Sequence, residues 1–337
     1  MSLLRSMDSA VGGMTAQQTK LDVIANNIAN VGTTSFKASK VNFSDTLYQS
    51  TSNAAAPTTS TGGTNAKSVG LGSKVSSINK LMTAGLASST GRTLDVCVDG
   101  DGYFIATKGA IDETLTVTSN AVTGSTGADE KVYTRDGNFS LDKNGNLVTS
   151  NGDRVMGYWP TAATATVAAD PTTGTISVTG LKTTDTITAY DPATLKPLAV
   201  PSSIMVGSTA QAVSGFAIGT DGVVTVQTTS GKYAVGQIAM ATFKNPEGLE
   251  DLGGNYQQET GNSGSAIIRS DAGVLSGATG YNAGAFGKLD SGYLEASNVD
   301  LTAQFTDMIS ATRSFQAASK MISNGDEILQ TITGLIR

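Results

Sequence analysis

Apolar residues recur every seven positions along the C-terminal stretch, at Leu301, Met308, Phe315, Ile322, Leu329 and Ile336. A second row three residues further on is mostly small: Ala311, Ala318 and Gly325, then Ile332. This 3-4 alternation predicts one helix, about 54 Å long at 1.5 Å per residue, with a seam that wants another helix against it. Ser297 with Asp300 three residues on predicts a capping-box start. A matching 3-4 row opens the chain at Leu4, Met7, Val11, Met14, Leu21 and Ile28, with Gln18 and Ala25 at the remaining seam positions and Gly32 as the stop. Either seam alone would suit an amphipathic helix lying on a globular core. Two seams at opposite ends of a β-patterned chain predict instead that the helices meet each other and other chains. Gly12 and Gly13 each weaken the first helix by about 1 kcal/mol relative to Ala, so it should order only on contact.

Between the helices the period changes to two. Leu94, Val96 and Val98 alternate with Asp95, Cys97 and Asp99. Asp136-Gly137 between Val132–Arg135 and Asn138–Leu141 predicts a two-residue hairpin, and Asn144-Gly145 and Asn151-Gly152 punctuate the next strands. The stretch from Trp159 to Val235 is rich in Thr, Ala and Val, with short strands expected at Thr175–Val178, Thr186–Tyr190 and Val223–Gln227, and is read as an inserted sandwich or barrel. Ser50 to Ser68 carries no large apolar residue and reads as linker. The expected fold is mostly β with terminal α-helices. Residues 1–31 and 299–337 form a coiled-coil-like domain, 32–68 a linker, 69–158 and 236–298 a first antiparallel β domain, and 159–235 a second nested within it.

Composition narrows the function. Charged residues are 15% of the chain and the net charge is −6, spread without runs, which argues against a nucleic-acid or anionic-membrane surface. There is no histidine, which removes Ser-His-Asp and Cys-His catalysis and every His-ligated metal site. The one cysteine, Cys97, excludes an internal disulfide and reads as a small packed residue. No 7–15-residue apolar segment opens the sequence, so no cleaved signal peptide is expected, and no apolar run approaches a membrane span. Asp99-Gly100-Asp101-Gly102 reads as a tight turn rather than a calcium loop or acid–base pair. Asp142, Asn144, Asn146 and Asp153 have EF-hand-like spacing, but Leu147 stands where the loop glycine belongs, and the hairpin reading is preferred. No catalytic residue, cofactor or metal is expected.

Four blocks then resemble the flagellar axial proteins, the rod, hook and hook-associated family. NNIANVGTTSFK (Asn26 to Lys37) is similar to the family's N-terminal signature, carried by Asn26, Asn27, Ile28, Ala29, Asn30, Phe36 and Lys37, with Ser35 where the family has glycine. Thr90–Ala106 and Tyr133–Tyr158 resemble its β-domain blocks, and Gly292–Ile332 its C-terminal block. The large segment between Tyr158 and Gly236 makes the hook subunits the nearer resemblance and the distal rod subunits the second. The resemblance implies a non-enzymatic subunit of a helical homopolymer that transmits torque through a flexible hook outside the cell, after export unfolded. Its implied partners are further copies of itself, the distal rod protein, the hook–filament junction protein, the hook cap and the export apparatus. The two helical seams would be the assembly interface. A secreted β-sandwich adhesin stays open as a reading from another class.

Overall fold

A computed structural model describes residues 2–59, 62–108, 114–118, 121–125, 130–159, 168–169, 176–177, 194–206, 209–268 and 287–335. The fold is mostly β, with one helix at each end of the chain. It divides into two compact units. One comprises residues 1–32, 37–81 and 299–337, the other 33–36 and 82–298.

The first unit holds helices α1 (Ser2–Ala29) and α2 (Leu301–Leu335) and four strands. Strand β1 (Ser39–Asp45) pairs antiparallel with β4 (Ser73–Lys80), and β2 (Tyr48–Ser52) pairs with β3 (Lys67–Gly70). The stretch 32–68, expected as a linker, therefore carries β1, β2 and the start of β3. Strands β2 and β3 pair with every residue exposed, Tyr48 and Val69 among them. Gly12 lies beside β4. A Cβ there would lie 3.4 Å from the Ser73 carbonyl oxygen, so α1 and β4 come to ordinary contact distance at this residue.

The second unit is built on a long antiparallel sheet. Its strands run in the order 215–218, 223–228, 231–238, 154–158, 194–197, 115–118, 121–125, 267–268, 240–242, 103–107, 131–134, 256–258 and 250–253. One core gathers Ile105, Leu115, Tyr133, Met156, Leu195 and Ile268; a second gathers Val96, Val98, Phe104, Phe139, Leu147 and Val155. A smaller core forms within the expected insertion from Ala199, Ile204, Val226, Tyr233 and Val235, with Trp159 and Phe216 against it. The insertion also pairs into the sheet. Met156 faces Pro197, and Gly157 faces Ile238, so the boundary expected at residue 235/236 falls inside the strand Gly231–Ile238. Strands appear at Ile176–Ser177 and Val223–Thr228; the one expected at Thr186–Tyr190 lies outside the described residues.

The hairpin expected at Asp136-Gly137 is corrected. Lys131–Thr134 pairs with Tyr103–Thr107 and with Tyr256–Gln258, while Ser140–Leu141 pairs with Leu147–Val148. Gly137 instead lies against the backbone of Val96, whose N–H donates to its carbonyl at 3.0 Å; a Cβ at Gly137 would sit on the Val96 carbonyl oxygen. Asn144-Gly145 and Asn151-Gly152 do form turns, with Gly145 and Gly152 at φ +82° and +92°.

Cys97 is buried in the strand Val96–Asp99. Burial first, and the Glu295 carboxylate second, push its thiol up to about 11. The neutral thiol is thus favoured by folding. Its contribution to stability is whole below about pH 9 and is lost as pH rises toward about 11. Cys97 is expected to resist a disulfide reagent at pH 8 in the native chain and to react fully in denaturant. Rapid labelling of the native chain would contradict the buried placement.

Candidate assembly interface

Helix α2 begins at a cap that the sequence pattern assigns to the wrong residue. Asp300, not Ser297, accepts the N–H groups of Thr302 and Ala303 through Oδ1, at 2.9 and 3.2 Å. A carboxylate at this position satisfies two orphan donors and favours the positive end of the helix dipole. Along the predicted seam, Met308, Phe315, Ile322 and Leu329 are half-buried and Ala311 and Gly325 are buried, but Leu301 and Ile332, near the two helix ends, are exposed. The small row therefore makes the closest approach. A Cβ at Gly325 would lie 3.2 Å from Met7 Cγ on α1. Lys20 meets Asp307 at 2.9 Å, so the two helices run antiparallel with residues 7, 20 and 27 of one beside 325, 307 and 304 of the other.

The α1 seam is rotated from its expected facing. Met7, Met14, Leu21 and Ile28 are half-buried, but Val11 is 47% exposed, and Gln18 and Ala25 are exposed with it. The fully buried positions are Ala16, Ile24 and Asn27. The cause is that α1 packs on β1 and β4 as well as on α2, so its buried face lies between the two supports. The side chain of Leu4 and the whole of Ile336 lie outside the described residues.

The signature residues divide by role. Asn27, 1% exposed, pairs with the backbone of Ser39 as a strand would: its Nδ2 donates to the Ser39 carbonyl at 2.8 Å, and its Oδ1 accepts the Ser39 N–H at 3.0 Å. The same Nδ2 lies 3.1 Å from Gln304 Oε1 on α2. One amide thus ties helix, strand and second helix together. Asn30 closes the helix end by donating to the Asn26 carbonyl at 3.0 Å and to its side chain at 2.9 Å. Lys37 is buried, Phe36 is half-buried, and Asn26 and Ala29 are exposed. Periodicity alone missed Gln304, although a polar residue in an apolar seam is the signal for such a network.

Ser35 adopts φ +57°, the left-handed region suited to glycine. Two bonds inside the second unit hold it there. Its N–H donates to the Glu295 carbonyl and its hydroxyl to the Arg135 carbonyl, each at 2.8 Å. The side chains of those two residues form a buried ion pair, Arg135 Nε to Glu295 Oε2 at 3.0 Å. Arg135 Nη1 donates to the Gly102 carbonyl at 3.1 Å and Nη2 to that of Gly100 at 2.8 Å. Glu295 Oε1 accepts the Gly85 N–H at 3.0 Å. The Asp99–Gly102 segment is thus a turn that cradles a guanidinium through its carbonyl oxygens. Sequence reasoning overlooked both charges; Arg135, directly after the strand Lys131–Thr134, was the available signal.

Much apolar surface stays uncovered on α2. Phe305, Ile309, Met321, Ile328, Ile332 and Leu335 are exposed, Leu335 at 81%. Among the described residues no group of three His, Cys, Asp or Glu side chains could hold a metal, and no helix is long and apolar enough to cross a membrane.

Three family models match the chain: a flagella basal body rod protein model over residues 7–37, the flagellar hook protein FlgE/F/G D1 domain over 121–226, and the flagellar basal body rod FlgEFG protein C-terminal over 290–335. The flagellar basal-body rod protein FlgG of Bacillus subtilis is 38% identical over 336 residues, covering 99% of this chain and 100% of its own. The flagellar hook protein FlgE of Treponema pallidum is 28% identical over 492 residues, covering 99% and 100%. Among solved structures, the Helicobacter pylori flagellar hook protein FlgE2 matches with a TM-score of 0.46 at 10% identity, over 62% of this chain and 100% of that one.

Replacing Arg135 by Met is expected to cost about 3–5 kcal/mol, because Glu295 then stays buried without its partner. Asn27→Ala is expected to cost about 1–3 kcal/mol by stranding the Ser39 amide and carbonyl. Urea unfolding midpoints of the purified variants check both.

Proposed function

The chain belongs to the flagellar basal-body rod and hook family, and we propose that within it the chain is a hook subunit that polymerises into a bendable tube carrying torque from rod to filament. The coarser role, a structural subunit of the flagellar axis, is that of the family. The observation that carries the hook reading is the separate small core around Ile204, Val226 and Tyr233. It gives the chain additional outer material between Tyr158 and Gly236. A distal-rod reading draws on a different observation, the end-to-end match to a FlgG protein at 38% identity against 28% for a hook protein.

Polymerisation follows from the helices. The exposed apolar residues of α2 and Val11 of α1 are buried by copies of the same chain. Head-to-tail contacts of this kind are heterologous and grow without closing. The seams Leu4, Met7, Val11, Met14, Leu21, Ile28 and Leu301, Met308, Phe315, Ile322, Leu329, Ile336 carry axial continuity. The weakly charged β unit supplies outer contacts that shift at low cost. Partners along the axis are the distal rod protein, the junction protein, the hook cap and the export apparatus. The location is extracellular, at the hook.

An epitope placed between the exposed Thr229 and Ser230 is expected to label a short curved segment at the filament base in immunogold images of intact cells. Label reached only on purified basal bodies would favour the rod, and label scattered over the cell surface would bring back the adhesin. Removing residues 1–30 is expected to leave folded monomer that forms no tubes under the electron microscope; tubes from the truncated chain would overturn the helical interface.

A further inference from the structure

We propose that Asn151-Gly152 is a site of spontaneous modification, at which water converts the asparagine to aspartate or isoaspartate and releases a turn that its side chain holds. The reaction is independent of the axial reading.

The chain carries three Asn-Gly pairs, at 144–145, 151–152 and 324–325. Asparagine is a chemically labile side chain, and glycine has no Cβ to shield its backbone nitrogen. In such a pair that nitrogen attacks the asparagine Cγ. A C–N bond forms, the side-chain nitrogen leaves as ammonia together with the glycine's amide proton, and a five-membered succinimide remains. Water then opens the ring at either carbonyl, giving aspartate or isoaspartate. The reaction consumes only water.

Two of the pairs sit in the same tetrapeptide, Ser-Asn-Gly-Asp, at 150–153 and at 323–326. With the reacting residues and their neighbours alike, a difference in rate belongs to the fold. At 150–153 the tetrapeptide is a surface turn between the strands Leu147–Val148 and Arg154–Tyr158. Asn151 and Gly152 are both exposed, and a Cβ at Gly152 would meet nothing within 4 Å, so the ring has room to close. The Gly152 N–H donates to the Thr149 carbonyl at 3.0 Å, a single turn bond that a brief local opening breaks. At 323–326 the same residues lie in α2, where Gly325 is buried against Met7 and its amide belongs to the helix ladder. Ring closure there requires the helix to open. Asn144-Gly145 falls between: it too is a turn, but both residues are half-buried, and a Cβ at Gly145 would collide with the Val200 carbonyl oxygen.

The consequence follows from what Asn151 holds. Its Nδ2 donates to the Gly254 carbonyl at 3.1 Å. Gly253, Gly254 and Asn255 all take positive φ, at +86°, +61° and +66°. Such a run is held by its surroundings. Thr134 Oγ1 donates to the Asn255 carbonyl at 2.8 Å, and Asn255 Nδ2 donates to the Thr34 carbonyl and to Asp136 Oδ2, each at 3.3 Å. An aspartate at 151 has no N–H to donate, and its charge faces the Gly254 carbonyl oxygen. One hold on the turn becomes a repulsion.

The full chain is incubated at pH 8 and followed by mass spectrometry of the tryptic peptides 144–154 and 321–337, with isoaspartate marked by enzymatic methylation. In the folded chain Asn151 is expected to convert at least about tenfold faster than Asn324, with Asn144 between them. In denaturant the rates at Asn151 and Asn324 are expected to converge. Equal rates in the folded chain, or Asn144 leading, overturn the site; a contrast that persists in denaturant belongs to the sequence and overturns it too. Asn151→Asp is expected to speed hydrogen exchange of the 253–256 amides severalfold over the parent chain. Unchanged exchange there overturns the release of the turn.

Discussion

The buried pair Arg135–Glu295 is the constraint on which the β unit depends. Its charges sit within a sheet protein that has few others inside. They are tolerable because nearly every donor and acceptor is used: the guanidinium reaches the Gly100 and Gly102 carbonyls as well as the carboxylate, and the carboxylate also takes the Gly85 amide. Residues far apart in sequence, near 35, 85, 100, 135 and 295, are thereby fixed to one point. A buried ion pair seldom adds net stability over an apolar filling. Here it specifies which segments meet, and Ser35 is held in a costly backbone conformation by the main chain of the same two residues.

The first unit relies on a different economy. Antiparallel helices approach through Ala311 and Gly325 rather than through the large apolar row, and Asn27 replaces a strand neighbour for Ser39. The larger side chains then divide their surface between the partner helix and the outside. The chain consequently presents exposed apolar area along α2, from Phe305 to Leu335.

The two helices and the turns at Asn144-Gly145 and Asn151-Gly152 were legible in the sequence, because a 3-4 apolar row and a positive-φ glycine are local signals. Asp136-Gly137 was misleading for a nonlocal reason: Gly137 serves a close approach to Val96, forty-one positions earlier in the chain, which no neighbouring residue announces. Within the stretch 32–68, read as linker, β1 and β2 pair with strands that begin at Ser73 and Lys67, partners that no local pattern in the stretch announces. On α2 the middle of the expected row, Met308 to Leu329, is half-buried, while Leu301 and Ile332 at its ends are exposed. The facing of α1 could not be read from its row, since it depends on β1 and β4 as well as on α2, and a helix pattern carries no record of a second support.

The small row of α2 has one further effect. Bulky knobs interlock like gear teeth and resist sliding of one helix along another, whereas Ala311, Ala318 and Gly325 form a nearly smooth track. The track does not leave α1 free to slide, because Met7 lies over Gly325, Lys20 holds Asp307 and Asn27 meets Gln304. The small residues set how near the helices come, and these three contacts, spread from one end of α1 to the other, set where along the axis they stop.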